Sequence, residues 1–507
     1  MRSVLAVLVG SLGLGCSGNS VSLPSDAPTT IDAAVDATPD AGSDPNEGAT
    51  SGARIKLVWY QTPDGVKSYI AGLPGPGYYD AQRDEDCGAV RWADGNTYCT
   101  PTSMPSVYAD AACTTLLGQE QRSTCATAPP RSQMYVRTTG PVAGCGSGVA
   151  HLYQRGAQVA ASQYYTKNAA GTCVGPASGP PSNFYAAGTE VASTALVPMT
   201  VSEPIGAGTL QVRWWQTADG MRAVDRAYDS TLDSDCVPMA RYAGSPICFL
   251  VAQPAFLFHD AACTQHEAPV ATGCQVPPYA QTVTNQVCPK PTVTFFATGA
   301  QVASSPLYWN SGSNTCTAIT ADPANTYYSV GAEVAPTTVQ YQPDTTPGHR
   351  LELQHFTAPD FSYRSGTLHD TTFGTDCELR PLDDGSVRCL PRNGGLSFVG
   401  SAGTGVVSVF DDAACTIPID LVQVYLGPGG CAAVPTPTLI YRDVVTNGCR
   451  VPEVRMVGAV HTNPIHLLSG GVCTAYDPGS IPGVVFHDAL AIVPNSSLGT
   501  ATRVVDP

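Results

Sequence analysis

"DAACT" occupies residues 110–114, and the same five residues return at 260–264 and 412–416. The copies lie about 150 residues apart, and a motif that recurs at a fixed period is the signature of a repeat architecture. The aspartate can accept a backbone N–H and cap a turn, and the two alanines leave room for a disulfide at the cysteine. We therefore interpret the pentapeptide as a structural marker of three tandem repeats, at residues 54–198, 199–346 and 347–507.

Other landmarks keep the same period. The units open with "RIKLVWYQTPDG", "TLQVRWWQTADG" and "RLELQHFTAPDF". In the first opening Ile55, Leu57 and Trp59 alternate with Lys56 and Tyr60, which is typical of a half-buried strand, and "DG" is a hairpin turn signal. A "YxxGxxV" pair follows in units one and two ("YQRGAQV" and "YAAGTEV"; "FATGAQV" and "YSVGAEV"), and unit three lacks a recognisable pair.

Composition supports an all-β class. The chain has 50 glycines and 43 prolines, and one of them interrupts almost every stretch of about ten residues. This composition disfavours long helices. About eight strands per unit fit either one six-bladed β-propeller, which we prefer, or three β-sandwich-like beads. The net charge of -16 with only 25 Lys and Arg excludes a nucleic-acid-binding protein.

Cysteine spacing predicts disulfides and an oxidising compartment. Each unit holds six cysteines, and the first two are always separated by eleven residues: Cys87, Cys99, Cys113, Cys125, Cys145 and Cys173; Cys236, Cys248, Cys263, Cys274, Cys288 and Cys316; Cys377, Cys389, Cys415, Cys431, Cys449 and Cys473. Fifteen connectivities are open in each unit. We expect pairing between neighbours, including Cys113 with Cys125 and Cys145 with Cys173. The absence of CxxC argues against a zinc site.

The N-terminus predicts export and a lipid anchor. Residues 1–16 combine Arg2, a short apolar run and small residues before Cys16, the only cysteine outside the three groups of six. We expect a lipoprotein-type signal peptide, lipidation of Cys16, and an outer-membrane or cell-surface location. Residues 17–53 are rich in Asp, Ala, Pro and Thr and almost free of large apolar side chains, which predicts a disordered tether.

Paired aspartates give the only metal hypothesis. Asp80 and Asp86, Asp229 and Asp235, and Asp370 and Asp376 recur as D-x5-D before a cysteine. Carboxylates in a loop can hold Ca²⁺, but none of the runs matches the calcium loop that ends in Glu. The alternative, which we favour, is that they accept backbone N–H groups in turns.

No catalytic residue is predicted. The chain contains no GxSxG elbow, Walker loop or HExxH pair, and its nine histidines do not recur in register. A sugar hydrolase or lyase stays open as the alternative, because its carboxylates need only be close in space. It would require a concave pocket with carboxylates from different units. Adjacent aromatic pairs fit a surface that binds a glycan or a protein; they are Tyr78 and Tyr79, Tyr164 and Tyr165, Trp214 and Trp215, and Tyr327 and Tyr328.

Together, the lipoprotein-like start, the Asp-Ala tether and the repeated "DxxxxxDC" and "DAACT" blocks resemble uncharacterised, exported, cysteine-rich repeat lipoproteins of bacteria that carry a domain of unknown function. The resemblance covers residues 55 to about 500 and implies a location and an architecture without an activity. We expect an envelope-tethered binding or structural module, without a cofactor and with no nucleic-acid partner. Function should lie in what differs between the units.

Overall fold

The computed structural model describes residues 48–68, 77–121, 134–142, 145–161, 163–168, 171–177, 182–240, 245–284, 292–310, 315–343, 349–359, 361–392, 396–399, 409–425, 438–446, 449–469, 472–477 and 484–507. Cys16, Cys125, Cys288 and Cys431 lie outside these residues. The described chain consists of strands and short 3-10 turns, such as Ser193–Ala195 and Asn495–Ser497. The predicted all-β class is confirmed.

Unit one contains thirteen of the described strands: β1 (Ile55–Gln61), β2 (Lys67–Ser68), β3 (Gly77–Asp80), β4 (Glu85–Arg91), β5 (Thr97–Pro101), β6 (Ser103–Tyr108), β7 (Leu116–Gln121), β8 (Tyr135–Pro141), β9 (Ser147–Val159), β10 (Tyr164–Lys167), β11 (Cys173–Ala177), β12 (Ser182–Val191) and β13 (Val197–Val201).

Unit two contains β14 (Leu210–Gln216), β15 (Arg222–Asp229), β16 (Ser234–Met239), β17 (Ile247–Leu250), β18 (Gln253–Pro254), β19 (Leu257–Phe258), β20 (His266–Ala271), β21 (Tyr279–Thr284), β22 (Thr292–Val302), β23 (Leu307–Asn310), β24 (Cys316–Ile319), β25 (Asn325–Val334) and β26 (Gln340–Pro343).

Unit three contains β27 (Leu351–Ala358), β28 (Phe361–Asp370), β29 (Thr375–Pro381), β30 (Val387–Pro391), β31 (Leu396–Val399), β32 (Val409–Phe410), β33 (Leu421–Tyr425), β34 (Leu439–Thr446), β35 (Cys449–Val460), β36 (Ile465–Ser469), β37 (Val472–Tyr476), β38 (Val484–Val493) and β39 (Thr500–Val505).

The first strands of the three units join into one continuous sheet, here called the strand ring. The last strand of each unit makes the connection: β13 pairs with β5 of its own unit and then with β14 of the next. In the same way β39 pairs with β30 and then with β1 of unit one. The two ends of this sheet are β17 and β26, and β26 pairs with β27. Just before β26, Thr338 forms a β-bridge with Ile247 of β17, and this bridge closes the ring. Neighbouring units are therefore held together by backbone hydrogen bonds.

The second half of each unit forms separate sheets. In unit one β6, β7, β12, β9 and β8 close into a five-stranded barrel, because β6 also pairs in parallel with β8. Unit two repeats this arrangement with β6 divided into β18 and β19. In unit three the order is β31-β33-β38-β35-β34, beside the three-stranded sheet β32-β36-β37.

This topology differs from the preferred propeller. Six separate four-stranded blades are not found in the described strands, since the first halves of all three units share one sheet. The alternative of three bead-like bodies describes the second halves, which the ring connects. The last strand of one unit pairs with the first strand of the next, so backbone N–H and C=O groups that would otherwise lie at exposed sheet edges are hydrogen-bonded.

The unit openings lie in the core as the alternation predicts. Ile55, Leu57 and Trp59 pack in one apolar cluster, whereas Tyr60 packs in another with residues of unit three. The end of β1 is thus buried on both faces. Leu210 and the other opening residues of unit two form the corresponding cluster with Phe356 and Phe361 of unit three. Apolar burial between units is expected to stabilise the ring.

The predicted tether is too long at its C-terminal end. Thr50 donates its backbone N–H to Arg222 O at 2.8 Å, and Ala53 donates to Asp219 O at 3.0 Å. Gly48 lies against the indole of Trp214. Residues 48–53 are low in apolar side chains, but they are fixed by backbone hydrogen bonds to unit two, which composition does not reveal.

Seven disulfides are present in the described residues. The fixed-spacing pairs are confirmed: Cys87–Cys99, Cys236–Cys248 and Cys377–Cys389. Neighbour pairing of the others is wrong, because the structure has Cys113–Cys173, Cys263–Cys316, Cys415–Cys473 and, between units one and two, Cys145–Cys274. Cys449 is also disulfide-bonded. The sheet explains the change, since β10 pairs with β6 and brings the residues after β10 to the DAACT turn.

Candidate functional site

The first aspartate of each D-x5-D run is a structural residue. Asp80, Asp229 and Asp370 are buried, and each accepts the backbone N–H two residues further on at 3.0 to 3.1 Å. Arg54 and Arg350 pair with the aspartates of units one and three. In unit two, Thr337 donates to Asp229 instead, at 2.6 Å. These contacts confirm the expected role in turns.

The second aspartate of each run is also engaged by protein groups. Asp86 pairs with Arg503, Asp235 with Arg213 at 2.7 Å, and Asp376 with His369 at 3.0 Å. Within the described residues no group of three or more His, Cys, Asp or Glu side chains could hold a metal ion. Calcium binding therefore stays a prediction with no site in the described part of the chain.

The DAACT aspartates cap turns in all three units. Asp110, Asp260 and Asp412 each accept the backbone N–H groups four and five residues further on. The following cysteines have a positive φ of 51° to 52°, so the turn has the same backbone in each unit. These hydrogen bonds lower the pKa of Asp110 to about 2 and also depress the pKa of Asp260 and Asp412. The expectation of a turn cap is confirmed.

The aromatic pairs are more buried than a stacking surface requires. Trp214 and Trp215 are both buried, as are Tyr78 and Tyr327. Strand alternation by itself buries one residue of each adjacent pair, and in the tryptophan pair both rings belong to the core. The differences between units are a better guide to the site.

Unit three retains the hairpin that its sequence conceals. In units one and two the "YxxGxxV" segments form the pairs β9/β12 and β22/β25, with Tyr153 opposite Glu190 and Phe296 opposite Glu333. In unit three β35 and β38 pair in the same register, with Arg455 opposite Ile492. The corresponding segments are "RMVGAVH" and "HDALAIV". Unit three therefore lacks the sequence pair, as its sequence indicates, but it keeps the hairpin: the backbone register is retained while the side chains have changed.

The changes introduce charge into the hairpin. By register, Arg455 replaces Tyr153 and Phe296, and Asp488 replaces Ala186 and Ser329. His461, the residue after β35, replaces Val159 and Val302 by the same alignment. On the neighbouring strand β34, Arg442 lies opposite Glu453, where unit one has Thr138 opposite His151 and unit two has Thr282 opposite Thr294.

Three of these residues, Arg442, Glu453 and Arg455, form a partly buried charge cluster with Asp420. Arg442 contacts Asp420 at 3.3 Å and Glu453 at 2.8 Å, and Arg455 contacts the same two carboxylates at 2.9 and 2.7 Å. Their side chains are 16% to 18% exposed. At this burial each charge needs its partners, and two cations beside two carboxylates leave the cluster formally neutral.

A histidine and a carboxylate lie beside the charge cluster. His461 Nδ1 is 2.7 Å from Asp488 Oδ1. The imidazole is only 8% exposed, while the Asp488 side chain is 47% exposed. His461 Nε2 is buried and has no hydrogen-bond partner within the described residues. A buried polar atom without a partner is costly, so the fold carries an energetic penalty at this nitrogen.

These residues line a cavity of about 490 Å³ at the surface of unit three. Its wall includes Asp411, Asp420, Arg455, His461, Asn463 and Asp488, with Val460 and Ile419 among the apolar contacts. Asp411 immediately precedes the DAACT aspartate, where units one and two have Ala109 and His259. All three carboxylates of the cavity come from unit three, and not from different units.

Sequence reasoning directed attention to the differences between units but named none of these residues, because its candidate sites were all recurring residues. The signal was the loss of recurrence: the third copy of a repeated hairpin exchanges Tyr, Ala and Val for Arg, Asp and His. A charged residue at a position that is neutral in two other copies is an indication of function.

The disulfides are typical of an oxidising environment outside the cytoplasm. No helix in the described ranges has the length and apolar character needed to span a membrane. Neither the curated proteins nor the solved structures include a match to the chain. Residues 33–491 match the family of unknown function DUF7481. The chain therefore belongs to that family.

Proposed function

We propose that the protein is an exported, envelope-tethered binding module whose ligand site is the cavity of unit three. The observation that supports this most directly is the contrast between copies. The hairpin register is the same in all three units, and in the third it carries Arg455, His461 and Asp488, which line a cavity. Partly buried charges are costly to maintain, which favours a role beyond stability.

The location rests on the N-terminal sequence. In this proposal the signal peptide ends before Cys16, the cysteine carries the lipid, and a tether of about thirty residues separates it from the ordered chain at residue 48. The disulfides fit such a location, because the bacterial periplasm and the cell surface are oxidising. Labelling with radioactive palmitate is expected to mark the protein and to fail on Cys16→Ser. Labelling of that variant would overturn the anchor.

Binding is preferred over sugar hydrolysis. A hydrolase needs two carboxylates that face the same glycosidic bond. In the cavity Asp420 is held by two arginines, and Asp488 contacts His461. These contacts orient the carboxylates as fixed elements of a binding surface.

A glycan array tests the proposed function. The exported protein without its tether should bind a subset of glycans, and the double variant Asp488→Asn/Arg455→Gln should bind none. The matched control in unit one is Glu190→Gln, which removes an exposed carboxylate that contacts His151 at 2.6 Å. Equal loss of binding in the control would contradict a site in unit three. Shortening of the bound glycans during incubation would favour the hydrolase.

A further inference from the structure

We infer that Glu267 and His259 form a pH-sensitive device that loosens the barrel of unit two as the pH rises. The inference does not depend on the ligand site of unit three. It rests on three observations: the place of this carboxylate in the core, its pairing with one histidine, and the short strand that covers the pair.

Glu267 occupies a position at which the other two units have a leucine. The strand register places Glu267 of β20, Leu117 of β7 and Leu421 of β33 at corresponding positions. Both leucines are 1% exposed and pack in apolar clusters. The Glu267 side chain is nearly as buried, at 2% exposure. Packing favours an apolar side chain here, because a buried carboxylate is costly to desolvate.

His259 neutralises this carboxylate. Its Nδ1 lies 2.8 Å from Oε1 of Glu267, and the imidazole is 37% exposed. Neither oxygen of Glu267 accepts a hydrogen bond from any other residue that the structure describes. The pair is neutral as long as it holds one proton between its two members. Loss of that proton leaves a buried carboxylate without a counter-ion.

The strands around β20 bring no further charge into contact with Glu267 among the described residues. Directly opposite it lie Leu257 on β19 and Ser329 on β25, and both are neutral. The other titratable side chains on these strands and on β23 are His266, which packs against the ring of Phe258, the phenols Tyr308, Tyr327 and Tyr328, and the exposed Glu333. Burial and His259 therefore determine the protonation of Glu267.

The direction of the pH effect follows from the carboxyl group. Burial raises the pKa of Glu267, and the charge of His259 offsets part of this increase. A carboxyl with a raised pKa in the folded state contributes stability that is fully present below its unfolded value of about 4.3. This contribution is lost as the pH rises through the folded-state value. The barrel of unit two should therefore become less stable as the pH rises from about 4 towards neutral.

The strand that covers the pair is short, so the loss should appear as local opening. β19 has two residues, Leu257 and Phe258, and both pair with β20. In unit one the corresponding strand β6 is continuous over six residues. Segments with few ladder hydrogen bonds open at a small cost in free energy. Opening of β19 would let water reach the carboxylate and would loosen the DAACT turn, which lies between β19 and β20.

Amide hydrogen exchange of the exported protein between pH 4 and pH 8, followed by mass spectrometry, tests the inference. Protection factors remove the intrinsic pH dependence of exchange, and we compare them for residues 257–271 in the wild type and in Glu267→Leu. This variant carries the side chain that units one and three accommodate, so it is expected to fold. The ratio of its protection to that of the wild type should grow with pH, by up to about tenfold per pH unit for one proton.

Glu267→Gln is the second variant, because it removes the charge and keeps the size of the side chain. Its protection relative to the wild type should grow with pH in the same way, whatever its value at pH 4. The matched control is Glu190→Gln in unit one, where the carboxylate is 52% exposed and lies 2.6 Å from His151. Protection of β7 and β12 in this control should keep a constant ratio to the wild type. A constant ratio in both Glu267 variants, or an equal growth in the control, would overturn the inference.

Discussion

In units one and two the paired strands β9/β12 and β22/β25 present Gln158 and Gln301 opposite a tyrosine, whereas β35/β38 presents Val460 opposite His487 in the same register. The glycines of the second strand differ too: Gly188 and Gly331 correspond to Leu490. Two copies thus agree with each other and the third departs from them. A backbone register can therefore persist while the chemistry that it carries is replaced.

The largest effect on stability is expected from a substitution in the charge cluster of unit three. Arg442→Ala removes a cation that contacts both Asp420 and Glu453, and Arg455 alone must then neutralise two partly buried carboxylates. Breaking a buried charge pair is strongly destabilising, and partial exposure reduces the cost here to about 2 to 3 kcal/mol. Thermal and chemical unfolding of the exported protein would measure the loss.

Thr138→Ala is the matched variant in unit one, because Thr138 lies at the corresponding place opposite His151. Its buried hydroxyl has no hydrogen-bond partner within the described residues, so removal should change stability by less than about 1 kcal/mol. Similar losses of stability in Arg442→Ala and Thr138→Ala would show that the charge cluster contributes no more to stability than the neutral position in unit one.

A smaller effect is expected from exchanging the glycine difference. In Gly188→Leu the new Cβ would lie 2.9 Å from the backbone oxygen of Gln154, so the strands must shift at a cost of about 1 to 3 kcal/mol. Leu490→Gly removes a side chain that is 46% exposed, and the flexibility of glycine costs about 0.5 to 1 kcal/mol. The free energies of unfolding of the two variants test whether the strands of unit three leave room for a leucine where those of unit one require a glycine. If Gly188→Leu were as mild as Leu490→Gly, the glycines would not be required by the close approach of the strands.

Much of the ring could be predicted from the sequence. Alternation correctly placed Ile55, Leu57 and Trp59 on one buried face, and a constant spacing identified Cys87–Cys99 and its two counterparts. These features are local, since they depend on one strand or on a pair of adjacent strands. The turn aspartates were predictable for the same reason.

The remaining disulfides and the site depend on contacts between distant segments. Cys145 and Cys274 are 129 residues apart and belong to different units. Asp420 and Arg455 meet only because β33 and β35 both pair with β38. The sequence spacing of Cys145 and Cys274, or of Asp420 and Arg455, does not predict that they are in contact. Inside the D-x5-D runs, unit three has Gly374 where units one and two have Asp84 and Asp233. All three residues have a positive φ, a conformation that favours glycine, so the structure explains this replacement.

The smallest effect concerns the turn that all three units share. Asp110 has a pKa lowered to about 2, mainly by the backbone N–H of Thr115, and the pKa of Asp412 is depressed by the N–H of Ile417. A carboxyl with a lower pKa in the folded state stabilises the protein at any pH above its unfolded value of about 3.9 and loses this contribution as the pH falls towards the folded value. Wild-type stability should therefore decline between about pH 4 and pH 2.

Asp110→Asn and Asp412→Asn should each make this decline slightly shallower and by similar amounts, because the two turns have the same backbone. Melting temperatures recorded across that pH range provide the test, with Glu333→Gln, an exposed carboxylate on β25, as the control that leaves the profile unchanged. A change in Asp412→Asn alone would mean that the turn of unit three has also diverged. Equal changes in both variants would confine the divergence to the hairpin, its neighbouring strand and the cavity that they line.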